Sequence, residues 1–172
     1  MLDFIEILSV ILVALAAALA IAHALEMPGK MRLSQQEYMT VQHVYYPTFA
    51  IGGAVGEVGG VLATLILMFT WRFDTAPFWL TCIAVVSLLS MQVVYWAMTH
   101  PVQKYWFRGE ELAPAAAGFF AFNPMERIEH ETRPPTTQAD WKTVRERWEY
   151  SHLFRAVLGL VALISVVTAV AI

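Results

Sequence analysis

Four of the five histidines in this sequence sit beside long apolar runs: His23, His43, His100 and His152. Imidazole binds transition metals and carries protons near neutral pH. His23-Ala-Leu-Glu26 and Glu149-Tyr-Ser-His152 each place a carboxylate and an imidazole three residues apart, on one face of a helix. Paired Glu-x-x-His elements on facing helices hold two-metal carboxylate centres in helical bundles. Such a centre needs further carboxylates, and none accompanies His43 or His100. A single copper, iron or zinc ion held by His23, Glu26, His43, His100 and His152 is therefore the expected metal arrangement. Taken one at a time, His43 and His100 read more simply as boundary residues bonded to a neighbour, and His130 as a loop residue. His23 falls within the apolar region, where an ionisable group is costly and usually has a purpose.

Two further features bear on chemistry. Glu57 stands alone in the middle of an apolar block, the default signature of a functional site. Its candidate partners are Gln92 and Tyr95, which share one face of the next apolar block. His43 lies fourteen residues earlier, about 21 Å away along a helix axis. Glu57 is thus expected apart from the histidines, on the floor of a cavity. The second feature is the stripe Trp141, Arg145, Trp148, His152 and Arg155, spaced by four, three, four and three residues, with Glu149 at its edge. It reads equally well as an interfacial aromatic belt with basic residues or as an Arg–Glu–His cluster that positions a proton donor or an anionic group.

Four elements must position these residues. Phe4–Leu25, Tyr46–Phe69, Phe78–Met98 and Leu153–Ile172 are each long enough to cross a hydrocarbon core of about 30 Å. In a 172-residue chain that is 58% hydrophobic, they make a single all-α membrane domain. The expectation is four transmembrane helices in an antiparallel bundle, over about 4–27, 41–70, 77–99 and 139–172. An additional cytoplasmic or interfacial segment, about 100–138, precedes the fourth helix; its prolines and Phe107, Phe119, Phe120 and Phe122 suggest a surface cap. The fourth helix is expected to start near Thr137 or Asp140, either a good N-cap. The acidic start Met1-Leu-Asp-Phe-Ile-Glu6 argues for a retained first helix, since a signal peptide begins with basic residues. Lys30, Arg32 and most other basic residues fall after the first and third helices, and only Arg72 on the other side. The positive-inside rule then puts both termini outside and the large loop in the cytoplasm. Gly52, Gly56 and Gly60 line one face of the second helix, a surface for close helix packing. Cys82 is the sole cysteine, so a disulfide framework or a cysteine metal site is excluded. Nothing in the sequence marks a nucleic-acid partner.

At these same residues the chain resembles a bacterial family of small four-helix inner-membrane proteins. The resemblance rests on His23-Ala-Leu-Glu-Met-Pro-Gly-Lys30, on Val41-Gln-His-Val-Tyr-Tyr-Pro47 with Gly52-Gly53, and on Arg145-Glu-Arg-Trp-Glu-Tyr-Ser-His152. The broader grouping includes the fungal anthrone oxygenases. It implies a four-helix integral membrane fold and an oxygenation or other redox step on a lipophilic, often aromatic substrate. His23, Glu26, Glu149 and His152 are the positions it marks, with His100 as a further shared one.

The resulting expectation is a membrane enzyme of redox or oxygenase type. Its cytoplasm-facing site would hold a metal through the histidines, or use His152 as a base made stronger by Glu149, with Arg145 and Glu57 assisting. Two alternatives stay open: an accessory subunit of a larger membrane complex or homo-oligomer, and a haem b electron carrier with two histidine ligands.

Overall fold

The computed structural model describes residues 2–103, 105–106 and 138–172. The segment expected as a surface cap lies outside the described residues beyond Trp106, as do its four phenylalanines, His130 and a helix start at Thr137.

The described residues form an all-helical membrane fold with no strand. Helix α1 spans Leu2–Lys30, α2 Gln35–Thr70 and α3 Ala76–Val94. A π-helical turn, Tyr95–Thr99, joins α3 to a short α4, His100–Gln103, and α5 spans Gln138–Ala171. Four stretches are long and apolar enough to cross a membrane: Asp3–Lys30, Thr48–Thr70, Ala76–Gln103 and Trp141–Ala171. Large apolar side chains such as Ile11, Ile66, Val86 and Val157 point outward along them, as lipid-facing residues do.

The helices pack in a closed ring in which α1 touches α2 and α5, and α3 touches α5 and α2. Every neighbour runs antiparallel. The α2–α3 seam is the least extensive of the four. Small residues set the closeness of the others. A Cβ on Gly56 of α2 would lie 2.8 Å from the Ala16 backbone nitrogen, and one on Gly159 of α5 would lie 3.1 Å from Ala17 Cα. Helix α1 is thus gripped from both sides through backbone contact, which lipid-embedded helices use because apolar burial alone does not drive them together. The glycine face of α2 packs as expected, and its partner is α1.

Three helix boundaries differ from the sequence expectation: α1 continues through Pro28 to Lys30, and two others differ for a local reason. Helix α2 starts at Gln35, not near residue 41, because Ser34 and Glu37 form a reciprocal capping box. The Glu37 carboxylate accepts from the Ser34 hydroxyl and backbone, which holds it below its ordinary pKa. The third span passes through Pro101 and does not stop before it. Pro101 has no N–H for the Ala97 carbonyl and its ring crowds that oxygen. The chain widens to a π turn, and Arg147 of α5 donates to the Ala97 carbonyl at 2.6 Å.

Candidate functional site

The ends of α1 and α4 and the starts of α2 and α5 meet at one end of the bundle. It carries Lys30, Arg32, Lys142, Arg145 and Arg147, and is called the basic end here. Inward from it, all four spans surround a cavity of about 100 Å³. Its polar wall consists of His23, Glu57, Gln92, Tyr95, His152 and Arg155, and the rest is mainly Ala, Gly, Leu, Val, Phe and Trp. Tyr95, Trp96 and Thr99 reach it from the π turn, a backbone feature found often at functional sites.

Glu57 is buried and does not stand alone. Its Oε1 is paired with Arg155 Nη2, and its Oε2 accepts from Gln92 Nε2 at 2.8 Å. Gln92 is a partner the sequence pattern identified. Arg155 belongs to the predicted stripe but is missing from Glu57's expected partners. Its signal was available: Leu153, Phe154, Ala156 and Val157 surround this arginine, so it is an intramembrane cation in need of an anion. The guanidinium also lies 5.5 Å from the Tyr95 ring centre, and Tyr95 donates to Gln103 Oε1 at 3.1 Å.

Arg155 links Glu57 to the histidines, which sequence distance had kept apart. Its Nη1 lies 3.3 Å from His152 Nδ1, and the His152 ring stacks on His23 with centroids 4.1 Å apart. Across the stack, Lys30 Nζ lies 3.3 Å from His23 Nδ1 and 2.6 Å from Glu26 Oε2. Ammonium and guanidinium groups only donate, so Nδ1 of each imidazole accepts and each neutral ring carries its hydrogen on Nε2. The Nε2 of His152 is buried with no hydrogen-bond partner among the described residues.

The Glu-x-x-His pairs do not form within their own helices. Glu26 turns to Lys30. Glu149 receives the Tyr38 hydroxyl at 2.5 Å, in a cluster with Trp106, Trp141 and Trp148. Burial raises the Tyr38 pKa, and the adjacent Glu149 charge pushes it the same way. Glu149 is thus bonded to Tyr38, and the side chain against His152 Nδ1 is Arg155. Arg145 lies away from the cavity, donating to the Leu33 carbonyl at 3.3 Å and stacking 5.3 Å over Trp141.

The five-residue metal set is corrected in the same way. His43 Nε2 donates to the Trp106 carbonyl at 2.8 Å, and His100 packs its ring against Trp96 at 4.8 Å. Only His23 and His152 come together, and each turns Nδ1 toward a cation. Among the described residues, no three His, Cys, Asp or Glu side chains converge to hold a metal ion. Nor do stacked rings suit haem, whose axial ligands must approach iron from opposite faces. The donor set fits neither group.

What the arrangement can do is bind and move charge. It offers a carboxylate, a guanidinium that can follow the charge, and an imidazole N–H, around a mostly apolar hollow. No protein-family model, no curated protein and no solved structure matches the chain.

Proposed function

We propose that the chain is an integral membrane enzyme that deprotonates a lipophilic, hydroxylated aromatic substrate and commits it to oxygenation. The observation that supports this reading best is the Glu57–Arg155–His152 network in the wall of an intramembrane cavity. Buried charges are expensive in such a place and are usually kept for function.

The substrate oxygen sits beside Arg155 and the His152 Nε2–H. Its O–H bond breaks as the proton passes to Glu57, and the negative charge moves from carboxylate to substrate oxygen. The net charge of the site is unchanged, and Arg155 neighbours the anion before and after the transfer. Arg155 and His152 stabilise the oxyanion as preorganised donors. The electron-rich ring carbon then bonds to dioxygen, and the proton on Glu57 passes to the peroxide oxygen. Substrate and dioxygen combine to a hydroperoxide, which leaves Glu57 as it began. His152 acts here as a donor, not as the base that Glu149 would have assisted.

The basic end faces the cytoplasm in this proposal, because Lys30, Arg32, Lys142, Arg145 and Arg147 lie there and Arg72 at the other end. A bacterial inner membrane agrees with the family resemblance of the sequence.

The test is dioxygen uptake and product formation by the protein in lipid nanodiscs, with a panel of lipophilic single-ring phenols. Wild-type turnover of at least one substrate, lost in Glu57→Gln, is the expected result. Inactivity of the wild type on the whole panel, with Glu57→Gln altering only its association with other membrane proteins, would replace the enzyme by an accessory subunit.

A further inference from the structure

The cavity wall has a thin side. Between its mid-membrane and basic ends, α2 contributes Ala50, Gly53 and Ala54, opposite the π turn of the third span. The Gln92–Glu57 hydrogen bond ties the two helices at one end of this stretch, and His43 binds the Trp106 carbonyl at the other. The α2–α3 seam as a whole is the least extensive in the bundle. One residue of the lining, Val58, is 52% exposed on the outer surface, so the hollow and the outer face share a side chain.

Gly53 is the centre of that side. It is buried, yet a Cβ built there would meet no atom within 4 Å. A buried glycine normally permits close packing, as Gly56 does three residues later. At Gly53 the missing side chain is part of the hollow itself.

We infer that a ring-bearing amphiphile reaches the cavity sideways from the bilayer, through the α2–α3 seam, and that Gly53 sets the size of ring admitted. Its oxygenated ring lies against His152 and Arg155, and its alkyl tail leaves between α2 and α3 beside Val58. The inference deepens the proposed function and rests on it for the identity of the polar contacts. A small-residue stripe alone would not carry it. The independent observation is the unpartnered Nε2 of His152, a residue only 5% exposed, in the wall of the same cavity. A buried N–H without an acceptor is unfavourable by itself, and a ligand oxygen satisfies it. The volume, about 100 Å³, admits one ring at most and leaves no room for a long tail.

The test uses 4-dodecylphenol carrying a diazirine in the tail, with wild-type protein and Gly53→Leu in phosphatidylcholine nanodiscs. Photolabelling of the wild type next to Val58 is expected. Gly53→Leu, whose Cβ meets no atom within 4 Å, should weaken binding at least tenfold, and an unchanged melting temperature separates that loss from misfolding. Gly29→Ala, also in open space but outside the cavity, should bind as the wild type does. Unchanged binding by Gly53→Leu, or labelling confined to the basic end, would overturn lateral access. So would equal competition by 4-methylphenol, which has no tail to place. Binding that follows Gly53 without any oxidation of the probe would uphold the seam and remove the oxygenase reading. Oxidation indifferent to Gly53 would do the reverse.

Discussion

Glu57 and Glu149 are both buried carboxylates, and their surroundings differ in one decisive respect. Glu57 borders a hollow and shares its charge with Arg155 and Gln92. Glu149 is fully buried and takes the hydroxyl of Tyr38, which packs among tryptophans. The first has room for a guest. The second joins the start of α2 to the start of α5, 111 residues apart in sequence, and fixes how they meet. A buried charge beside space is placed to act on something, whereas one inside packing specifies the fold. The same contrast separates Gly53, beside space, from Gly56, against the Ala16 backbone.

The largest test of this contrast is Glu57→Gln. It strands the Arg155 charge, and breaking a buried pair costs about 3–5 kcal/mol. Unfolding in mild detergent should show that loss together with lost turnover. Adding Arg155→Gln should recover most of the stability and none of the turnover. Recovery of both would show that the pair is only structural.

Tyr38→Phe probes the other carboxylate. It removes the Glu149 partner and should cost about 1–3 kcal/mol. Turnover per folded molecule should be unchanged, and a selective loss of turnover would move Glu149 into the chemistry.

The glycines give a smaller pair of effects with opposite signs. Gly56→Ala pushes a Cβ into the α1 backbone and should destabilise by about 1–3 kcal/mol. Gly53→Ala meets nothing and should stabilise by about 0.5–1 kcal/mol through lower chain entropy in the unfolded state. Two thermal unfolding curves suffice, and equal shifts would erase the distinction.

Glu37 is the exposed reference carboxylate and should give the least effect. Its pKa is lowered in the folded chain by the Ser34 hydrogen bonds, so its contribution is present above the ordinary value of 4.5. That contribution disappears as the pH falls through the lowered value. Amide exchange at Gln35–Tyr38 should rise over that range in the wild type and show no such step in Glu37→Gln.

Much of the fold was legible in the residues. The four spans follow from apolar length, and the close packing of α2 follows from Gly56 and Gly60. The Glu57–Gln92 contact was legible too, since polar groups inside apolar runs declare themselves. The other pairings were not. Helical spacing says which residues share a face, and His23 with Glu26 does; it does not say which neighbour competes for each. Lys30 took Glu26, and Tyr38 took Glu149 from across the bundle. Arg155 did carry a signal, its apolar neighbours on both sides, but so near the start of the run it passes for an interfacial residue. Ser34 and Glu37 did carry a helix-start signal, but the basic residues before them read as loop. The passage through Pro101 depends on Arg147, whose contact is created only by the tertiary fold.

The Glu57–Arg155 pair has a consequence for a protein in an energised membrane. A single fixed charge there couples to the transmembrane voltage, by as much as about 2.3 kcal/mol per 100 mV for full passage. Opposite charges held in direct contact cancel nearly all of that coupling. A proton passing from a guest to Glu57 travels only between neighbouring atoms, so it draws almost no work from the field. In the proposed reaction, turnover is therefore nearly independent of the membrane potential.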